Sequence, residues 1–285
     1  MDLSKPHPDP TIRIISLGAG VQSTVMALMA SKGEIKPMPD CAIFADTGNE
    51  PKMVYSYLEF LKKILPYPIH IVSKGNIMQD MLDAKGKSNF VVAPYFTQNK
   101  ITGKKGMVMR QCTNDYKIQQ IKKKIRQLCD VGFRKKFPKD KYVEQWIGIS
   151  TDEAMRMKNA RLPWLTSRWP LIEMKMSRMD CLNWYRDIKK HPMPGKSSCI
   201  GCPYHHNDQW RNMQKNYPED FADAVEVDNK IRNGLKNGVE SSFYLSGHLK
   251  LKGNWKNGKR HGKGTLTENN GIKWIGEFKK SYGWN

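Results

Sequence analysis

Ile12-Arg13-Ile14-Ile15-Ser16-Leu17 is a β-branched run that breaks into the glycine-rich turn Gly18-Ala19-Gly20-Val21-Gln22-Ser23-Thr24, after which an apolar helical pattern follows. A chain builds a phosphate cradle in this order. The strand delivers the turn, glycines let backbone N–H groups come close to an anion, and the helix adds the positive end of its dipole. The backbone from Gly18 through Ala19 and Gly20 to Gln22, with the hydroxyls of Ser16, Ser23 and Thr24, is predicted to hold phosphates. The turn is not a Walker loop, which needs Gly-Lys-Ser/Thr after four spacers. It is not the GxGxxG dinucleotide fingerprint either, because Ser23 stands at the third glycine. A second apolar run, Asp40 to Ala45, ends in Asp46-Thr47-Gly48-Asn49-Glu50-Pro51 at βαβ spacing. Both turns are therefore predicted at one edge of a parallel sheet, where α/β folds bind ligands. Asp46 is a candidate for a Mg²⁺ ion or a ribose hydroxyl.

These residues carry a resemblance. Gly18 to Thr24 resembles the pyrophosphatase loop of the N-type ATP pyrophosphatases, the adenine nucleotide alpha-hydrolase superfamily, usually Ser-Gly-Gly-x-Asp-Ser-Thr. Phe44-Ala45-Asp46-Thr47-Gly48-Asn49-Glu50 resembles the Asp-Thr-Gly turn of its phosphoadenosine phosphosulfate (PAPS) reductase branch. Arg110-Gln111-Cys112-Thr113-Asn114-Asp115-Tyr116-Lys117 is similar to the Arg-x-Cys-Thr-x-x-x-Lys segment of that branch. Gly148-Ile149-Ser150-Thr151-Asp152-Glu153-Ala154-Met155-Arg156 is similar to its Gly-Ile-Arg-x-x-Glu-Ser-x-x-Arg segment. Trp169-Pro170-Leu171-Ile172 and Cys199-Ile200-Gly201-Cys202-Pro203 follow in the expected order, so the similarity spans roughly residues 11–215. The chain departs from the pattern twice, with Gln22 in place of the loop Asp and Ser150 in place of an Arg.

The resemblance implies an AMP-forming enzyme that splits ATP between the α and β phosphates. It implies nucleotide contacts from Ser16, Gly18, Ala19, Gly20, Gln22, Ser23, Thr24, Asp46, Thr47, Gly48, Arg110 and Gly148. It also implies catalytic roles for Asp46, Cys112, Lys117, Glu153 and Arg156, with Arg110, Lys117 and Arg156 neutralising the leaving pyrophosphate. A plain Glu153–Arg156 surface pair at i, i+3 fits the same two residues.

Cys199-x-x-Cys202 supplies two soft ligands at a spacing that suits one metal, and Cys112, on a segment expected at the same cleft, is a candidate third. Three readings stand: an iron–sulfur cluster with one iron left open, a zinc site completed by His205, His206 or Cys181, and a redox dithiol. Relatives that put sulfur into nucleic acid often carry clusters, so the resemblance favours the first, with Cys112, Cys199, Cys202 and His205 as the metal set. Cys41 and Cys129 lie in apolar patterns and read as structural thiols.

The chain has 285 residues, 39% of them hydrophobic, and a net charge of +21. That length suits one sizeable α/β domain with an appendage, and the charge favours a polyanionic partner, nucleic acid (tRNA or DNA) first. A sulfur donor, protein or small molecule, is implied with it. No run is long and apolar enough for a transmembrane segment and the first residues lack a signal-peptide core, so a cytoplasmic protein is expected. Cysteines in that compartment read as metal or redox groups rather than a disulfide framework.

The fold expected is α/β: an open, mostly parallel sheet with helices on both faces, plus a small C-terminal β-hairpin repeat. The domains expected are an N-terminal tail over 1–10, a PAPS reductase-like catalytic domain over 11–246, and a repeat over 247–285. In the last, Gly253-Asn254-Trp255-Lys256 is echoed by Gly276-Glu277-Phe278-Lys279, and the text resembles a MORN repeat. Residues 76–110 read as irregular and suited to a mobile flap, 115–129 as a basic helix, and 219–232 as a helix. A true PAPS reductase is the second reading, although its C-terminal Glu-Cys-Gly-x-His motif is absent. A non-catalytic nucleotide-binding scaffold is the third.

Overall fold

The computed structural model describes residues 9–83, 93–94, 96–98, 105–107, 110–132, 134–188, 191–233, 239–243, 250–256, 259–267 and 273–278. Side chains are described as far as residue 230, those of 83 and 96–98 apart. The chain runs β1 (Ile12–Leu17), α1 (Val21–Ser31), β2 (Cys41–Asp46), α2 (Lys52–Ile64), β3 (Ile69–Ser73), α3 (Ile77–Asp83), β4 (Phe96–Gln98) and β5 (Lys105–Met107). A π-helical turn (Thr113–Ile118) then leads into α4 (Gln119–Leu128), followed by β6 (Val143–Ile147), a 3₁₀-helix (Thr151–Arg156), β7 (Leu165–Arg168), α5 (Pro170–Glu173) and α6 (Arg178–Asp187). Helices α7 (Asn207–Asn216) and α8 (Pro218–Asn233) and strands β8 (Val239–Phe243), β9 (Lys250–Lys256), β10 (Lys259–Thr267) and β11 (Lys273–Phe278) complete it. Contacts group the chain into two units, 1–75 with 113–198 and 76–112 with 199–285.

The first unit is an open sheet in the order β3-β2-β1-β6-β7, every pair parallel. The chain steps outward from β1 to β3, then returns to lay β6 on the other side of β1. The strand order therefore reverses between β1 and β6, the position at which such sheets bind ligands beyond the strand ends. Alternation along β1 feeds two cores. Ile15 and Leu17 pack with α1 and α2 through Val25, Leu28, Leu58 and Leu61, and with Leu171, Cys181 and Tyr185. Ile14 faces the other way, with Cys41, Ile43 and Ala45 of β2 against Ile121 and Ile125 of α4. Each fully buried aliphatic side chain contributes roughly 1.5–3 kcal/mol, which fixes the sheet under its helices. The sheet with helices on both faces is thus as the sequence leads one to expect. Among the described residues no helix is long and apolar enough to cross a membrane.

In the second unit α7 and α8 pack around Met213 and Ala224, with Ile200, Trp210, Tyr217 and Phe221 against them. Helix α3 and the antiparallel pair β4–β5 occupy parts of the stretch read as irregular. Its residues 84–92, 95, 99–104 and 108–109 lie outside the described set, and so does its reading as a flap. Strands β8 to β11 form one antiparallel meander in the order β11-β10-β9-β8, wider than a single hairpin. The glycines of the sequence echo meet in register there, with Gly253 and Gly276 both opposite Gly264. The boundary expected at 246/247 and the side chains of the MORN-like text lie outside the described residues.

Candidate nucleotide site

Strand β1 ends at Leu17, and the chain turns through Gly18, Ala19 and Gly20 into α1. Ala19 has φ +54°, in the left-handed region, and is fully buried, so it offers only its backbone. Gly20 is the N-cap of α1 and no side chain caps the helix. Its first-turn N–H groups and dipole are thus left for an anion. The Ser23 hydroxyl closes the turn, accepting from the Gly18 N–H at 3.1 Å and donating to the Gly20 carbonyl at 3.3 Å. Ser16 is held across the sheet by Gln145 Nε2 at 2.5 Å. Thr24 is fully buried in the core beneath the turn.

Gly148, just past β6, packs against the end of this turn. A Cβ there would lie 2.8 Å from both Cα and N of Ser23, and 3.2 Å from the Gln22 carbonyl carbon. Only a hydrogen fits between the end of β6 and the first turn of α1, which gives that glycine a steric reason.

Asp46, at the end of neighbouring β2, accepts from the Gly48 N–H at 2.7 Å and from the Tyr55 hydroxyl at 2.8 Å, both on Oδ1. Its Oδ2 takes no hydrogen bond among the described residues, which suits a cation or a ribose hydroxyl. Burial and the bond to Asp46 push the Tyr55 phenol well up, so it stays a donor at neutral pH. Gly48 sits at φ +67°, as this turn requires. Thr47 and Glu50 are buried, and the Thr47 hydroxyl reaches Glu50 Oε1 at 3.2 Å. Lys117, on the π-helical turn, brings its ammonium to the same oxygen at 3.2 Å. The Glu50 side chain has no solvent exposure. Lys117, expected on the leaving pyrophosphate, is therefore anchored by a buried carboxylate. In the sequence Glu50 stands only as the last residue of the Phe44–Glu50 motif, with nothing to mark this partnership.

Beyond β6 the 3₁₀-helix brings Glu153 to Gln22, whose Nε2 lies 3.4 Å from Glu153 Oε2 and 3.4 Å from the Ser150 hydroxyl. Arg156 pairs with Glu153 Oε1 at 2.6 Å and is 64% exposed. The sequence reading missed Arg178. This first residue of α6 donates its Nη1 to Gln22 Oε1 at 2.8 Å and its backbone N–H to Asp152 Oδ1 at 2.8 Å. The Ser150 hydroxyl, then that Arg178 N–H, hold the Asp152 carboxyl below the usual range. A signal existed: Ser177 and Asp180 form a capping box that fixes where α6 starts and hence where Arg178 stands.

Arg110, Cys112, Cys199, Cys202, His205 and His206 belong to the second unit. The Arg110 guanidinium lies over the Tyr204 ring at 5.4 Å. Cys112, Cys199 and Cys202 are part-exposed thiols outside any disulfide. The Cys202 N–H donates to the Cys199 carbonyl at 3.0 Å, and the His205 ring meets that carbonyl through Nε2 at 2.9 Å. His205 also lies edge-on to Trp210 at 4.9 Å, so its ring braces the cysteine turn. Among the described residues no group of three His, Cys, Asp or Glu is gathered for a metal. The Cys199 and Cys202 thiols suit a soft ion, and among the described residues no third ligand is gathered with them. Cys181 is fully buried in the core, where burial and then Asp180 push its thiol up to about 11.

No protein-family model matches the sequence, and no curated protein matches it significantly. Among solved structures, the chain is similar to the PAPS reductase of Candida auris in its phosphate complex, at 14% identity and TM-score 0.40, over 66% of this chain and 76% of that one. It is similar to the U34-tRNA thiolase NcsA of Methanococcus maripaludis with its 4Fe–4S cluster, at 15% identity and TM-score 0.40, over 86% of this chain and 78% of that one. At such scores the reading of the site rests on its own residues.

Proposed function

We propose that the chain is an ATP-dependent, AMP-forming enzyme that activates an acceptor on nucleic acid for sulfur transfer. The observation that carries this is the pairing of two ligand-ready groups at adjacent strand ends. The uncapped N-terminus of α1 follows β1, and Asp46 ends the β2 that pairs with it. Polyphosphate on the helix N-terminus puts the α-phosphorus within reach of the sheet edge, where Asp46 Oδ2 can hold a ribose hydroxyl or a cation. Acceptor oxygen then attacks the α-phosphorus and the α–β anhydride bond breaks. Pyrophosphate leaves against the amides of the turn and the Arg178 charge. Attack of a sulfide at the adenylylated carbon expels AMP and leaves sulfur in place of oxygen. The net charge of +21 and the part-exposed thiols support the nucleic-acid and sulfur portions of this reading.

ATP labelled in the α-phosphate, incubated with the protein and bulk tRNA, tests it. AMP with pyrophosphate is expected, reduced at least tenfold in Asp46→Asn. ADP formation, or equal turnover in that variant, overturns the reading.

A further inference from the structure

Helix α4 starts beside the nucleotide site, with Lys117 just before it, and runs about 15 Å along the sheet before the chain re-enters at the amino end of β6. The loop between them therefore lies at the sheet edge opposite the phosphate turn. From Lys122 to Lys141 the chain holds nine Lys or Arg and only two acids, Asp130 and Asp140. The loop's shape is built. The Arg126 guanidinium donates to the Gly132 carbonyl at 2.7 Å and to the Lys135 carbonyl, and lies over the Phe137 ring at 5.9 Å. Phe137 stacks on Trp164 at 4.2 Å and is buried. Arg134 takes φ +69°, the left-handed conformation, at an exposed position.

A basic loop after a helix can simply complement the negative end of the dipole. Here two other cations fill that role, Arg126 on the loop carbonyls and Lys141 Nζ on the Cys129 carbonyl at 2.7 Å. Lys135, Lys136 and Lys139 remain exposed, with no acidic partner among the described residues. Holding like charges together on a braced loop is unfavourable unless a polyanion offsets it.

We infer that this loop, Arg134 to Lys139 stapled by Arg126, is a docking surface for the phosphate backbone of a base-paired nucleic-acid segment, remote from the nucleotide site. Among the described residues of the loop, the one aromatic ring, Phe137, favours a duplex over a single strand. Single-strand sites present exposed rings for base stacking, whereas Phe137 is buried against Trp164. Phosphate contacts of this kind position the nucleic acid and carry no sequence information. The inference deepens the proposed function by giving its substrate a second contact.

Fluorescence anisotropy with the full chain and RNA and DNA duplexes of about 20 base pairs, across about 50–200 mM salt, tests it, with the single strands alongside. Lys135→Glu/Lys136→Glu/Lys139→Glu is expected to weaken duplex binding at least about tenfold and to flatten the logarithmic salt slope by about three. Arg126→Lys keeps the charge but loses the double carbonyl contact, and is expected to weaken binding about threefold to tenfold. Unchanged affinity and slope in the triple variant, or a wild-type chain that prefers single strands, overturns the inference. Whether RNA or DNA binds tighter identifies the duplex. ATP binding measured by calorimetric titration without nucleic acid separates the two readings: the triple variant should match wild type there, and a wild type that binds no ATP removes the enzyme reading while leaving the surface standing.

Discussion

Arg178 Nη1 donates to Gln22 Oε1 across 2.8 Å, tying the first turn of α6 to the first turn of α1 beside the Gly18–Gly20 turn. Gln22 thereby presents its amide nitrogen to Ser150 and Glu153 while its oxygen takes the arginine. Where the resembling loop carries a carboxylate, this chain has a neutral amide beside a cation, so the local charge is one unit more positive. On the proposed reading, that charge lessens the need for a bound cation beside polyphosphate. Arg178→Ala is expected to raise KM for ATP about fivefold to tenfold, the value of an exposed charge-assisted contact of about 1 kcal/mol. Arg178→Lys should recover only part of it, since the fork geometry is lost. Steady-state pyrophosphate release reads this out, and an unchanged KM in Arg178→Ala would show that the arginine only holds Gln22.

Gly148→Ala forces a methyl group to within 2.8 Å of the Ser23 backbone. Neither β6 nor α1 can yield without disturbing the central pair of the sheet. The variant should lose about 1–3 kcal/mol of stability and more than tenfold in ATP affinity. Urea unfolding and calorimetric titration report the two separately. Intact ATP binding in a destabilised protein would place the nucleotide away from this turn.

The legible parts of this fold were those with strong local physics. Ile12 to Leu17 and Cys41 to Asp46 are apolar β-branched runs broken by glycine-containing turns, and both came out as neighbouring parallel strands. β7 did not announce itself, because Leu165-Thr166-Ser167-Arg168 is short and mixed, and is buried only by the tertiary core. α6 and α7 were missed for a related reason. Their polar residues hide the helical period, and α6 buries only Cys181 and Tyr185. In the site, the backbone contribution was readable from Gly18 and Gly20. The partnerships of Gln22 with Arg178 and Glu50 with Lys117 were not, since they join residues far apart in sequence.

Glu50 and Lys117 should show asymmetric costs. The carboxylate is fully buried and the lysine about a third exposed. Lys117→Met strands a buried charge and should cost up to about 3 kcal/mol, whereas Glu50→Gln frees a cation that can turn to solvent and should cost about 1 kcal/mol. The double variant should recover part of the Lys117→Met loss. Equal costs in a double-mutant cycle would mean that the pair is screened and does not hold the π-helical turn.

The six cysteines divide by burial. Cys41, Cys129 and Cys181 are buried, whereas Cys112, Cys199 and Cys202 are part-exposed. Burial, then Asp40, pushes the Cys41 thiol up to about 11, burial and Asp180 do the same for Cys181, and burial raises Cys129. Iodoacetamide near pH 8 should label Cys112, Cys199 and Cys202 quickly and the other three only on unfolding, as peptide mass spectrometry would show. The sign of the stability effect follows from proton binding. In the unfolded chain the thiols ionise from their ordinary value of 9.0, but the folded chain keeps the protons of Cys41 and Cys181 until about 11. Between those values the folded state binds more protons, so its contribution is complete below about pH 9 and declines towards pH 11. The raised Tyr57 and Tyr67 hydroxyls act in the same direction. The melting temperature should therefore fall steadily over that window, and less steeply in Cys181→Ala; a flat profile would mean that these thiols are reached by solvent.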